Sequence, residues 1–309
     1  MSESSSLSLD TASIYLTHAP HVPSDESKTK SRLALIRAHR HYLENLYHKP
    51  LHFDTNKFAE ILNTMIHVLR LADAYGSLAI FQMPIETAFR QLRSDLDSLC
   101  GKHYFNIIYI ATLARSAWLF QYVICRLVGD PTWADDRIRK TFGTLGVVSL
   151  VLEKRSQLRE TMLRLDHTIM LADVPVDEGW KGTDASTIAY ATAAYKLHLL
   201  EHIKGHDEGG WKLASEKYRL LGDEGESWPK SHYDKALLRF GCIIVIKRHF
   251  NAEIDRLRRA VAFHVSPLLV DHVDRDKQVL SLANPKRKDQ GLTCVKITND
   301  DLPWINNPW

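Results

Sequence analysis

Two amphipathic stretches separated by a glycine-serine turn constrain this chain more than any other feature in it. From Phe58 to Tyr75, the residues Phe58, Ile61, Leu62, Met65, Leu69 and Ala72 recur at spacings of three and four. That is the pattern of a helix docked by one face on a core. Gly76 and Ser77 then supply a turn. Pro84 is expected at the first position of the next helix, where its missing N–H goes unneeded. Ile85, Ala88, Phe89, Leu92, Leu96 and Leu99 form the apolar stripe of that helix. Two helices joined by a short turn must pack on each other or on a shared core. This is a scaffold signal and carries no catalytic signature.

A set of short motifs is distributed around that pair. Tyr42-Leu-Glu-Asn-Leu-Tyr47 precedes it, and Val68-Leu-Arg-Leu-Ala-Asp-Ala-Tyr-Gly-Ser77 closes its first helix. Ile110-Ala-Thr-Leu-Ala-Arg-Ser116, Leu119-Phe120 and Leu127-Val-Gly129 follow, and Leu292-Thr-Cys-Val-Lys-Ile297 and Asp300-Asp-Leu-Pro-Trp304 lie near the far end. In this order the motifs resemble the second half of a BTB/POZ domain of the large fungal type. The resemblance covers roughly residues 10–143 and, more loosely, the last twenty or so. It implies a truncated, POZ-like (α+β) helical layer, because the opening strands and helices of such a domain, roughly eighty residues, have no counterpart here. Dimerisation by the family's N-terminal route is accordingly not expected.

The 309 residues are enough for one large or two modest domains. A net charge of +3 is too small to define a nucleic-acid or membrane surface. The four cysteines, Cys100, Cys125, Cys242 and Cys294, lie far apart with no C-x-x-C pair. That spacing suits reduced structural thiols in an intracellular protein of the nucleus or cytoplasm. Met1 to Ser8 is serine-rich and lacks the apolar stretch of a signal peptide. Phe105 to Val128 is apolar over much of its length, but Arg115 near its middle would cost about 2.5–3.5 kcal/mol in a bilayer. A buried helical hairpin broken around Arg115-Ser116 is expected instead.

The rest of the chain reads as mainly α. Residues 1–12 are expected to be disordered, and Ser13 to Leu16 to form one short strand. Asp25 to Lys30 is expected to be a polar connection, and Arg32 to Tyr47 a helix carrying Leu33, Ile36, Leu43, Leu46 and Tyr47. Gly129-Asp-Pro131 is a break. Val147 to Met170 reads as a helix with Val151, Leu158, Met162, Leu165 and Ile169 on one face. Asp184 can cap a helix reaching about Lys204. Trp211 to Leu221 is expected to be short and helical, and Tyr233 to His264 a long helix stopped by Pro267. Leu292 to Ile297 alternates like a strand, and the tryptophan-bearing tail is expected to dock back, because its apolar surface is costly in water. The organisation expected is therefore a disordered 1–12, a partial POZ-like domain over 13–143, and a helical C-terminal domain over 144–309 with one or two short strands and a docked tail.

His198-Leu-Leu-Glu-His202 is the one local match to a catalytic pattern. Histidines at i and i+4 on a helix can bind zinc while the intervening Glu201 activates water, as in a zinc-dependent hydrolase. Such a site needs a third ligand, and Glu253 and Asp255 are the acids available downstream. With 16 histidines in the chain, a chance pair at this spacing is the simpler explanation. Cys125 and Cys242 lie in apolar helical surroundings that leave a thiol inert. Pro285-Lys-Arg-Lys288 is a short basic loop, and the arginines at 256, 258 and 259 are diluted by Glu253 and Asp255, so nucleic-acid binding has little support. No metal or cofactor is expected.

The resemblance implies a non-catalytic adaptor whose partners are other proteins, among them a cullin-type ligase scaffold or a second copy of itself, or a role in transcription. Tyr42, Leu46, Tyr47, Met65 and Tyr75 are the residues expected to meet such a partner, with the tyrosines as anchors.

Overall fold

The computed structural model describes residues 25–47, 49, 58–171, 185–204, 217–219, 221–222, 247–270 and 292–305. Of these, 84% are helical and none lies in a strand, so the fold is mainly α. The α-helices in chain order are α1 (Asp25–Leu46), α2 (Phe58–Ala74), α3 (Leu78–Gln91), α4 (Arg93–Leu113), α5 (Ala117–Gly129), α6 (Asp135–Phe142), α7 (Val148–Leu171), α8 (Ala185–Lys204) and α9 (Lys247–Val265).

The turn between α2 and α3 is closed by a Schellman motif. The Ser77 N–H donates to the Ala72 carbonyl (2.7 Å), and the Gly76 N–H to the Asp73 carbonyl (2.9 Å). Gly76 sits at φ 64°, where it has no Cβ to clash. The turn between α4 and α5 repeats this pattern. There Ser116 N–H donates to Ala111 (3.0 Å) and Arg115 N–H to Thr112 (3.2 Å). Arg115 occupies the left-handed position at φ 50°, and this is the break expected within 105–128. Ser116 then caps α5 by accepting from the Leu119 N–H (3.3 Å) and donating to Glu86 Oε2 on α3 (2.8 Å). Gln82, one turn earlier on α3, donates to the Arg115 carbonyl (3.1 Å).

α5 is the centre of the molecule. Every residue from Leu119 to Gly129 that bears a large apolar group is buried, among them Phe120, Tyr122, Val123 and Leu127. α4, α3 and α7 pack around it, and the apolar cluster runs from Ala38 on α1 to Leu302 near the end of the chain. No helix among the described residues is long and apolar enough to cross a membrane.

Several boundaries differ from the sequence reading. α1 begins at Asp25 and not Arg32, so the stretch from Asp25 to Lys30 expected as a polar connection is helical. Pro84 lies inside α3 and not at its start. The helix starts early because Phe81, Ile85 and Phe89, at i, i+4 and i+8, must all enter the core. The stripe from Ile85 to Leu99 is divided at Leu92 (φ −82°, ψ 5°), which ends α3 and precedes α4. α4 is itself kinked at His103 (φ −130°, ψ 20°).

Residues 292–305 form an irregular strap across α5, and the expected strand at Leu292 to Ile297 is absent. The Cys125 thiol on α5 donates to the Thr293 and Val295 carbonyls (3.1 and 3.2 Å). The alternation in the sequence thus reflects a chain lying on a helix, without a strand beside it. Leu292, Ile297 and Leu302 are buried, and Trp304 packs edge-on against Phe120 at 5.4 Å. Lys154 on α7 meets Asp301 (3.1 Å). The expected disorder of 1–12, the strand at Ser13 to Leu16 and residues 233–246 of the long helix fall outside the described residues.

Arg155 on α7 fixes the segment after α5. It is buried, donates to the Trp133 and Asp130 carbonyls, and lies 3.4 Å from the Asp135 carboxylate. Arg159 grips the same carboxylate at 3.1 and 2.9 Å. Burial pushes the Arg155 pKa down and Asp135 pulls it back up.

Candidate interaction surface

α1 has two apolar faces. The inward one carries Ala38, Tyr42 and Asn45, all buried, with Leu46 half-buried beside them. Tyr42 stacks on Phe81 (5.4 Å, 15°) and tilts against Tyr75 (5.5 Å). Its hydroxyl is 3.0 Å from Ser77 Oγ. Ser77 gives its own proton to the Ala72 carbonyl (3.2 Å), so the tyrosine donates. The end of α1 is thereby tied to the α2–α3 turn.

The outward face carries Leu33, Ile36, Leu43 and Tyr47, exposed by 49, 64, 51 and 77%. At about 100° per residue these lie opposite Ala38, Tyr42 and Asn45. Arg40 completes the stripe and is paired with Glu44 one turn on (2.8 Å). Tyr75 is 64% exposed, and Ile80 and Met83 in the first turns of α3 are exposed as well.

Of the five residues expected to meet a partner, Tyr47 and Tyr75 present their rings to solvent. Tyr42 and Met65 are buried and Leu46 is half-buried, so these three side chains pack into the core and do not form an exposed contact face. The sequence places Leu33, Ile36 and Leu43 on this helix without dividing them between its faces, and the structure puts all three on the exposed side with Tyr47.

α8 is helical across His198-Leu-Leu-Glu-His202, one turn separating the two histidines; the side chains of His198, Glu201 and His202 lie outside the described residues. Among the described residues, no group of three or more His, Cys, Asp or Glu could hold a metal ion. The thiols of Cys100, Cys125 and Cys294 are not joined in disulfides. Burial pushes the Cys294 pKa up to about 12, which keeps it a protonated, unreactive thiol.

A further polar cluster joins Asp166 on α7 with Lys217 and Tyr218. Asp166 Oδ1 accepts from Lys217 Nζ (2.6 Å) and from the Tyr218 hydroxyl (2.8 Å). Burial beside that carboxylate drives the Tyr218 pKa well up, so it stays protonated. The cluster ties Lys217 and Tyr218 to α7, where the Tyr218 hydroxyl also lies 3.2 Å from the Met162 carbonyl. Arg256 with Glu253 (2.8 Å) and Arg258 with Asp255 (3.2 Å) form the i,i+3 pairs expected along α9.

The described residues thus define a helical protein whose most distinctive surface is apolar and not a charged or metal-binding cleft. Comparison with family models, with curated proteins and with solved structures finds no match to this chain.

Proposed function

We propose that this chain is a non-catalytic protein–protein interaction protein that presents the outward face of α1, together with Tyr75, to another polypeptide. The observation that carries this reading is the stripe Leu33, Ile36, Leu43 and Tyr47, exposed on the side of α1 opposite its core contacts. Contiguous apolar surface on a folded chain marks a site of association, and exposed tyrosines suit anchor positions. The motif order resembling fungal BTB/POZ proteins supports an adaptor within the cell, in the nucleus or cytoplasm, of the kind that serves cullin-based ubiquitin ligases or transcriptional regulation.

The test is affinity capture with the wild-type chain and with Tyr47→Ala/Tyr75→Ala, after circular dichroism has established equal helicity. Loss of the captured proteins in the double variant is expected; undiminished capture would count against the surface. The alternative, a zinc-dependent hydrolase using His198, Glu201 and His202, draws on the helical course of α8 through those positions. Stoichiometric zinc in the purified protein, lost in His198→Ala, would favour it over the adaptor.

A further inference from the structure

We infer that the outward face of α1 pairs with α1 of a second copy of this chain in antiparallel orientation, an inference that rests on the reading of α1 as an interaction surface. Leu33, Ile36, Arg40, Leu43 and Tyr47 are separated by three, four, three and four residues. That repeat fits the holes of another helix and not an extended strand.

The charges identify the helix. With Arg40 facing Leu43 of the second copy and Ile36 facing its Tyr47, positions 37 and 44 fall along one edge of the seam. Arg37 of each copy then meets Glu44 of the other, a self-complementary arrangement under a two-fold axis. A parallel pairing would set Arg40 against its own equivalent. Arg37 is 4.0 Å from Glu60, with both side chains about two-thirds exposed, so it changes partner at little cost. Glu44, held below the usual carboxylate range chiefly by its bond from Arg40, is charged at neutral pH, and Arg37 of the second copy joins Arg40 (2.8 Å) and His41 (3.3 Å) at that carboxylate.

From Leu33 to Tyr47 the seam is about 21 Å long. It is shorter than a free-standing coiled coil, and its five seam residues fall short of the roughly 20–30 residues a side of a stable interface. The pairing is therefore a weak, concentration-dependent one.

Sedimentation velocity of the purified full chain from about 5 to about 200 μM tests this. The average sedimentation coefficient is expected to rise toward that of a dimer. Ile36→Glu/Leu43→Glu is expected to weaken association at least about tenfold. Arg37→Glu alone weakens it, and Arg37→Glu/Glu44→Arg restores it, which distinguishes a designed pairing from loss of fold or nonspecific adhesion. A chain that stays monomeric throughout, or a dimer indifferent to the charge reversal, overturns the inference. Should the chain stay monomeric while Tyr47→Ala/Tyr75→Ala still abolishes capture of other proteins, only the self-pairing fails and the proposed function stands.

Discussion

Replacing Gly129 with alanine sets two effects of opposite sign against each other. Gly129 closes α5 beneath the strap. A Cβ there would overlap the Leu292 carbonyl oxygen, with the Leu292 carbonyl carbon at 2.8 Å and its nitrogen at 3.0 Å. The obstructing atoms are backbone, which yields less readily than the tip of a side chain. Overpacking of this kind costs about 1–3 kcal/mol. Against it stands the gain of alanine over glycine in a helix, about 0.5–1 kcal/mol, and the lower end applies at a helix terminus. The net expectation is a loss of about 0.5–2.5 kcal/mol. Gly101, within α4, has nothing within 4 Å of its Cβ position, so Gly101→Ala should instead stabilise by about 0.5–1 kcal/mol. Urea unfolding followed by far-ultraviolet circular dichroism measures both. A second readout is specific to the strap: Cys125 is buried and gives its proton to the Thr293 and Val295 carbonyls. A thiol reagent should therefore label it faster in Gly129→Ala than in the wild type or Gly101→Ala. If both alanine variants gain stability alike and labelling is unchanged, the strap does not lie over Gly129 and the reasoning fails.

The left-handed Arg115 yields a second prediction: Arg115→Gly should be more stable than Arg115→Ala by about 1 kcal/mol, a comparison in which loss of the side chain cancels. Tyr42 and Tyr47, five residues apart, should behave oppositely in urea melts. Tyr42→Ala empties a core position and should cost about 3 kcal/mol or more, whereas Tyr47→Ala should stay within about 0.5 kcal/mol. Burial, reinforced by Lys102 beside His103 and Arg70 beside His67, lowers the pKa of both histidines. Above their ordinary value of about 6.5 both are neutral folded and unfolded, and their contribution is complete. As pH falls below it, the unfolded chain takes up protons first and stability is lost. The urea midpoint should thus drop between about pH 7.5 and about pH 5.5, and drop less in His67→Gln/His103→Gln; equal drops in both proteins would discount these two residues.

Periodicity made the helices around the Gly76 turn and α7 legible, because each presents one apolar face to one core. It placed the α4–α5 break correctly for an indirect reason: Arg115 was unfit for a bilayer, and the same residue holds the turn. What it missed follows from tertiary packing overriding local rules. Pro84 is a good helix opener, yet Phe81 had to be buried a turn earlier, and that outweighed the lost N–H. Arg155 is not singled out by charge, since Lys154, Arg159 and Arg164 lie close to it in the same helix. The signal was its position: Val151, Arg155, Leu158, Met162, Leu165 and Ile169 continue a single four-three stripe. A charge on that stripe must find buried partners, and the carbonyls of Asp130 and Trp133 are those partners. No periodicity could name them, since they belong to a loop closed by a different helix.

α1 bears most directly on function. The sequence names Leu33, Ile36, Leu43, Leu46 and Tyr47 as the apolar residues of this helix without dividing them between faces. The core accepts Ala38, Tyr42 and Asn45, because Tyr42 can stack on Phe81 and reach Ser77 while the small Ala38 allows close approach. Hydrophobicity alone ranks Leu33, Ile36 and Leu43 above Ala38 and Asn45, so it does not identify the face that docks. A helix that leaves Leu33, Ile36 and Leu43 in solvent while docking through Ala38, Tyr42, Asn45 and Leu46 has two surfaces to satisfy, and the intramolecular fold satisfies one. The outward stripe at 33, 36, 40, 43 and 47 is therefore where selection for association would leave its mark. The charge-reversed pair at positions 37 and 44 is the substitution that tests it without touching the core.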